Sequence, residues 1–177
     1  MAEDFASVLL VGGKSNSLGR AEEVVKLVLQ DGARLEELYA CLSHQDAWVR
    51  MRAADALEKI CRQRPDWLLP YVDRLQADFS DHPQASVQWH LAQIYRQVEL
   101  ASPQKRHAIK WLQTVLSDTD VDWIVAANAM RTLVMLTQDG SAPKDVTVDL
   151  LELQRTHASK TVVRKADAFL RELELTT

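Results

Sequence analysis

Four valines at nearly even spacing constrain this fold more than any other feature of the chain. Val49, Val87, Val125 and Val162 stand 38, 38 and 37 residues apart, and each opens a helical pattern of apolar residues. Leu42, Phe79, Leu116 and Leu153 recur every 37 residues and close the helix before it. A period near forty with two helices per unit marks an α-solenoid, in which each unit buries its apolar face only against its neighbours. Such a chain is organised around an extended surface rather than a pocket.

The units can be read in order. Residues 33–42 form a first outer helix, with Leu35, Leu38, Tyr39 and Leu42 at helical spacing. Ser43-His44-Gln45-Asp46 is a turn, and Asp46 caps the inner helix 47–63 by accepting from its free N–H groups. Val49, Ala53, Ala54, Leu57 and Ile60 make the apolar stripe of that helix, and Pro65 suits the first turn of the next. Outer and inner helices follow at 66–79 and 84–98, then 103–116 and 122–137, then 144–156 and 160–173. Asp139-Gly140-Ser141-Ala142-Pro143 is the strongest break. Ahead of these, residues 18–30 read as an inner-type helix and residues 1–11 as its weak outer partner. The expectation is one domain over 1–177: a cap and half repeat to residue 32, then four clear repeats over 33–174, about four and a half to five hairpins in all.

The stretch Asp46-Ala47-Trp48-Val49-Arg50-Met51-Arg52-Ala53-Ala54-Asp55-Ala56-Leu57 resembles the HEAT repeat family, whose second helix opens Asp-x-x-Val-Arg and continues with paired alanines and a leucine. Gln84 and Gln88 replace the Asp and Arg in the next unit, and Ala126 stands at the Arg position in the one after. The resemblance covers residues 33–174 and implies an all-α, right-handed α-α superhelix whose second helices line a concave face. It is nearly silent on activity.

Charge is segregated by helix type. The inner helices (47–64, 85–98, 123–138, 160–173) carry eleven Lys or Arg against four Asp or Glu, and the rest of the chain carries ten against twenty-one. Arg52, His90, Asn128 and Lys165 are repeat-equivalent and are expected to form one polar, partly basic row. Arg96, Arg131 and Arg171 lie further along the same helices, and Trp48 and Trp89 near their starts. Cations beside aromatics suit an anionic partner. The expected partner-binding set is therefore Trp48, Arg52, Asp55, Trp89, His90, Arg96, Asn128, Arg131, Lys165 and Arg171. The competing explanation is a solvated face with no specific role, with Arg50 bridging within the repeat and Arg62 and Arg64 compensating a helix C-terminus. Trp67, Trp111 and Trp123 are expected to pack between units.

The functional expectation is a non-catalytic scaffold that binds an acidic protein. The alternative is DNA binding, by resemblance to HEAT-like glycosylases that excise alkylated bases, with Trp48, Trp89 and Asp55 at the lesion. The mild net charge of −4 and the absence of a Trp-x-x-x-Asp pairing on an inner helix weigh against it. No distinctive residue supports a second such class, the bilin lyase subunits. Gly12-Gly13-Lys14-Ser15 lacks the earlier glycine of a phosphate-binding loop, because Val8 stands there. The five histidines are scattered; His44 and His82 occupy the same turn in successive units, which reads as repeat inheritance. Cys41 and Cys61 have no metal-ligand spacing, so no cofactor or metal is expected. Glu3 and Asp4 precede the short apolar run 7–11, unlike a secretory signal, and no run reaches membrane-spanning length. A cytoplasmic protein is expected, with its oligomeric state open.

Fully burying a Leu or Ile contributes on the order of 1.5–3 kcal/mol, and a carboxylate in that place adds a desolvation cost. Leu57→Asp or Ala54→Asp is expected to lower the unfolding free energy by several kcal/mol in urea titrations. A loss below about 1 kcal/mol would contradict the stripe assignment.

Overall fold

A computed structural model describes residues 3–12 and 17–175. Its described residues form helices and turns with no strand, so the protein is all-α. The chain divides into two compact units, Met1–Pro70 and Tyr71–Thr177, each described by itself.

The N-terminal unit comprises α1 (Phe5–Leu10), α2 (Ala21–Gln30), α3 (Leu35–Ala40), α4 (Ala47–Gln63) and α5 (Pro65–Leu68). In α1, Phe5, Val8 and Leu9 are buried, and Asp4 caps the helix by accepting from the Ser7 N–H. The Arg34 guanidinium lies 3.8 Å from the centre of the Phe5 ring. The first outer helix is α3, tightened at both ends by 3-10 turns, Gly32–Arg34 and Cys41–Ser43. Asp46 caps α4 as expected, accepting from the N–H groups of Trp48 and Val49 at 2.7 and 3.2 Å. The alanine-rich stripe of α4 is buried and packs against α2.

The continuous outer helix expected over 66–79 is broken. Residues 65–68 form α5, Leu69–Tyr71 a 3-10 turn, and the helix resumes only at Val72. Pro70 supplies the reason, since it has no N–H to donate and its ring clashes with the preceding turn.

The C-terminal unit comprises α6 (Val72–Phe79), α7 (Ala85–Tyr95), α8 (Ser102–Leu116), α9 (Trp123–Gln138), α10 (Lys144–Gln154) and α11 (Lys160–Glu174). The inner helices pack in series, α7 on α9 and α9 on α11, with α8 and α10 also against α9. Ala92, Ala126, Ala129 and Ala166 are fully buried, and their small side chains permit close approach. The buried Thr132 hydroxyl donates to the Ala92 carbonyl at 2.7 Å, tying α9 to α7. At the end of α9, Gly140 (φ 78°) takes the left-handed conformation, and the Ser141 and Gly140 N–H groups return to the carbonyls of Leu136 and Thr137. This is a Schellman stop at the strongest break in the sequence.

One register differs from expectation. Leu153 is 38% exposed, while Thr147, Leu151 and Gln154 turn inward. Gln154 Nε2 donates to the Leu116 and Asp118 carbonyls at 2.8 and 3.0 Å, and the Thr137 and Thr147 hydroxyls meet at 2.7 Å. These partners satisfy buried polar groups that would otherwise cost about 1–3 kcal/mol each, so α10 turns Leu153 outward.

The N-terminal unit is organised around a buried arginine. Arg52 is 2% exposed. Its Nε donates to the Ser17 carbonyl at 2.9 Å, Nη1 to those of Leu9 and Leu10 at 2.5 and 3.3 Å, and Nη2 to that of Gly12 at 3.1 Å. Two of these carbonyls end α1, where a cation also meets the negative end of the helix dipole. A Cβ at Gly12 would fall 2.8 Å from the Arg52 guanidinium carbon and from Gly19 Cα, so a glycine is needed there.

Cys41 and Cys61 are buried free thiols of the same unit. Burial, then Glu37 and Asp4, pushes the Cys41 thiol up to about 11. Burial, then Glu58, pushes Cys61 up to about 12.

Two outcomes are expected. Arg52→Ala strands several carbonyls and opens a cavity, and should cost about 3 kcal/mol or more in urea unfolding, with Arg52→Lys restoring less than half. A loss under about 1 kcal/mol would contradict this structural role of Arg52. For the thiols, the folded pKa lies above the unfolded value of 9.0, so the folded chain keeps protons that the unfolded chain releases. Stability is therefore fully present below pH 9.0 and falls as pH rises toward 11 and 12. Native thiols should resist a thiol-labelling reagent at pH 8 and react after denaturation; fast labelling of the native protein would contradict this.

Candidate functional site

Within the C-terminal unit, the packing of α7, α9 and α11 brings together residues from three repeats. Arg96 follows α7, Asn128 and Arg131 lie on α9, and Lys165 lies on α11; together they line a groove of about 420 Å³. Trp123, Ile124, Ala127 and Phe169 supply its apolar part. Asp122 fixes the start of α9 by accepting from the Ile124 N–H at 2.8 Å, which holds Trp123 in the first turn, 47% exposed.

The polar groups are oriented by specific bonds. Asn128 Nδ2 donates to the Ile124 carbonyl at 2.9 Å, turning its Oδ1 toward Arg96. Arg96 donates from Nη1 and Nη2 to that oxygen at 3.2 Å each, and from Nη1 to Thr132 at 3.3 Å. Arg131 Nη1 meets both carboxylate oxygens of Glu172 at 3.0 Å, and its guanidinium carbon lies 5.8 Å from the Phe169 ring centre. Gln138 Nε2 donates to the same carboxylate at 2.9 Å. Lys165 is exposed and has no ion pair among the described residues. The groove therefore presents cations next to an exposed indole, and Arg131 is held against the Glu172 carboxylate.

Other members of the expected set lie elsewhere. Arg52 is a correction: its guanidinium faces inward onto backbone carbonyls, so it is not an exposed charge contact. His90 is also buried. Its Nδ1 lies 2.6 Å from the Ser86 carbonyl and its Nε2 accepts from the half-buried Trp89 indole at 3.1 Å, which assigns the proton to Nδ1. Trp48 is 40% exposed on the N-terminal unit, where Asp55 pairs with Lys59 at 2.9 Å. Arg171 is exposed in the last turn of α11. The cation excess of the N-terminal unit's inner helix is largely spent locally: Lys59 also pairs with Glu22, and Arg62 pairs with the buried Glu58.

Trp123 and Phe169 were missed by the repeat-equivalent reading. Trp123 follows an N-cap aspartate, and a side chain in the first turn has no preceding turn to cover it. That signal separates it from Trp111, which is buried with its indole donating to the Ser80 carbonyl at 2.7 Å. Trp67 is half-buried under the Arg64 guanidinium, at 4.2 Å.

The histidines serve turns. Nδ1 of His44, His82 and His157 accepts from the N–H two residues on, at 3.0, 3.2 and 2.8 Å, each time the residue at the N-cap position of an inner helix. His157 thus joins the inherited position seen for His44 and His82. No group of His, Cys, Asp or Glu able to hold a metal occurs among the described residues, and no described helix is long and apolar enough to cross a membrane. Gly13, Lys14 and Ser15 of the phosphate-loop-like sequence lie outside the described residues.

No curated protein and no solved structure matches the chain. A family model for the HEAT repeat domain matches residues 14–107, more than half of the sequence. With paired helices recurring at its period, the chain belongs to the HEAT repeat domain family.

Proposed function

We propose that this chain is a non-catalytic protein-interaction module that binds an acidic segment of a partner through the inner-helix groove of its C-terminal unit. The observation that carries the reading is the convergence of Arg96, Arg131 and Lys165 on one groove with the exposed Trp123. Tryptophan and arginine are the residue types that most often dominate binding energy at interfaces. Family membership supports the same reading, since paired-helix repeats build extended surfaces for partners. Cytoplasmic residence belongs to the proposal as well; the two free thiols are in the state that a reducing compartment maintains.

The test compares two labelled probes by fluorescence anisotropy, a short Asp/Glu-rich peptide and duplex DNA. The peptide should bind, and Lys165→Glu should weaken it about tenfold by replacing an attraction with a repulsion. Failure of the peptide to bind, together with DNA affinity that falls steeply and linearly on a log–log salt plot, would replace this reading with phosphate recognition.

A further inference from the structure

The bonding around Arg131 carries a sharper statement about what the groove recognises. Glu172 places both carboxylate oxygens on Arg131 Nη1 at 3.0 Å while Gln138 holds the same carboxylate at 2.9 Å. The pair is open to solvent, with the Arg131 side chain 43% and the Glu172 side chain 36% exposed. Arg131 also lies against Phe169, which lines the groove together with Trp123 and Lys165. A carboxylate of the chain itself thus sits on a groove-lining arginine, in a groove where the Trp123 indole is exposed and Phe169 is buried beneath.

We propose that Glu172 is an internal stand-in for the ligand, and that the groove takes a peptide segment in which an apolar side chain is flanked by carboxylates. The apolar side chain lies on Trp123, the exposed aromatic of the groove. One flanking carboxylate displaces Glu172 from Arg131, and another meets Lys165. Arg96 has a different part: its bonds to Asn128 and Thr132 fix it in the groove wall. Displacement exchanges one half-exposed ion pair for another and also gives up the Gln138 bond, so Glu172 lowers affinity and thereby penalises acidic segments that have no apolar anchor.

This inference rests on the acidic-partner reading and is tested so that the two can fail separately. The probes are two labelled peptides, Glu-Asp-Leu-Asp-Glu and the same peptide with Ser in place of Leu, titrated with wild-type protein and with Glu172→Gln, Glu172→Lys and Trp123→Ala. Thermal melts of each variant accompany the titrations. The Leu peptide should bind wild type more tightly than the Ser peptide. Glu172→Gln should tighten it about threefold, the order expected for releasing one half-exposed pair, although it removes a native contact. Glu172→Lys should tighten it further, and Trp123→Ala should abolish the preference for Leu. If the Leu peptide binds wild type but Glu172→Gln leaves its affinity unchanged or weaker, the stand-in role is overturned and the acidic-partner reading stands. Equal affinity for the Leu and Ser peptides overturns the apolar anchor. If neither peptide binds any of the proteins, the acidic-partner reading itself falls, and the inference with it.

Discussion

Close approach of α7, α9 and α11 is the constraint from which the groove follows. Ala92, Ala126, Ala129 and Ala166 are fully buried, and larger side chains there would force the helices apart. The Thr132 hydroxyl locks the same contact by donating to the Ala92 carbonyl. With helices held side by side at a 37 or 38 residue period, residues far apart in sequence come to one surface. Arg96, Arg131 and Lys165 meet for this reason and for no local one. The outer helices add side-chain ties to their packed faces: Gln76, Trp111 and Gln154 each donate a side-chain N–H to a backbone carbonyl of a neighbouring segment.

Equivalent positions of a repeat can nevertheless do opposite work. Arg52 and Lys165 occupy the same repeat position, and one is buried while the other is exposed. The difference comes from what lies opposite. Arg52 faces the end of α1 and the loop after it, whose carbonyls have no helical partner and need a donor. Lys165 faces a groove. Burying a guanidinium is tolerable only with its hydrogen bonds filled, and four backbone carbonyls meet that demand. Net charge counted by helix therefore overstates the charge offered to a partner. In the N-terminal unit it is turned inward or neutralised by Asp55, Glu22 and Glu58.

Most of the fold was legible because it rests on local chemistry. The Asp46 and Asp122 caps, the Gly140 stop and the valine-led helices are all encoded within a few residues. Even where the repeat pattern lapses, its function persists: Gln88 replaces the arginine at position 50 and makes the same bond, to the carbonyl six residues back. Part of what was missed depended on partners distant in sequence. The break at Pro70 was encoded locally and still passed over in the expected helix 66–79, whereas the inward turn of Thr147 and Gln154 required Thr137 and the end of α8. The fate of Arg52 depended on carbonyls about forty residues away. Trp123 was expected to pack between units because it lies near a helix end, whereas its place in the first turn after a cap leaves it exposed.

The most direct measurement is a nuclear magnetic resonance titration of isotope-labelled protein with a carboxylate-rich peptide carrying one leucine. Each of the five tryptophans carries one indole N–H that such a titration can follow. The account predicts saturable shifts at the Trp123 indole and at the Arg131 and Lys165 side chains, with the Trp67 indole of the N-terminal unit unmoved. Shifts concentrated on Trp48 and Trp67, with Trp123 silent at saturation, would contradict it.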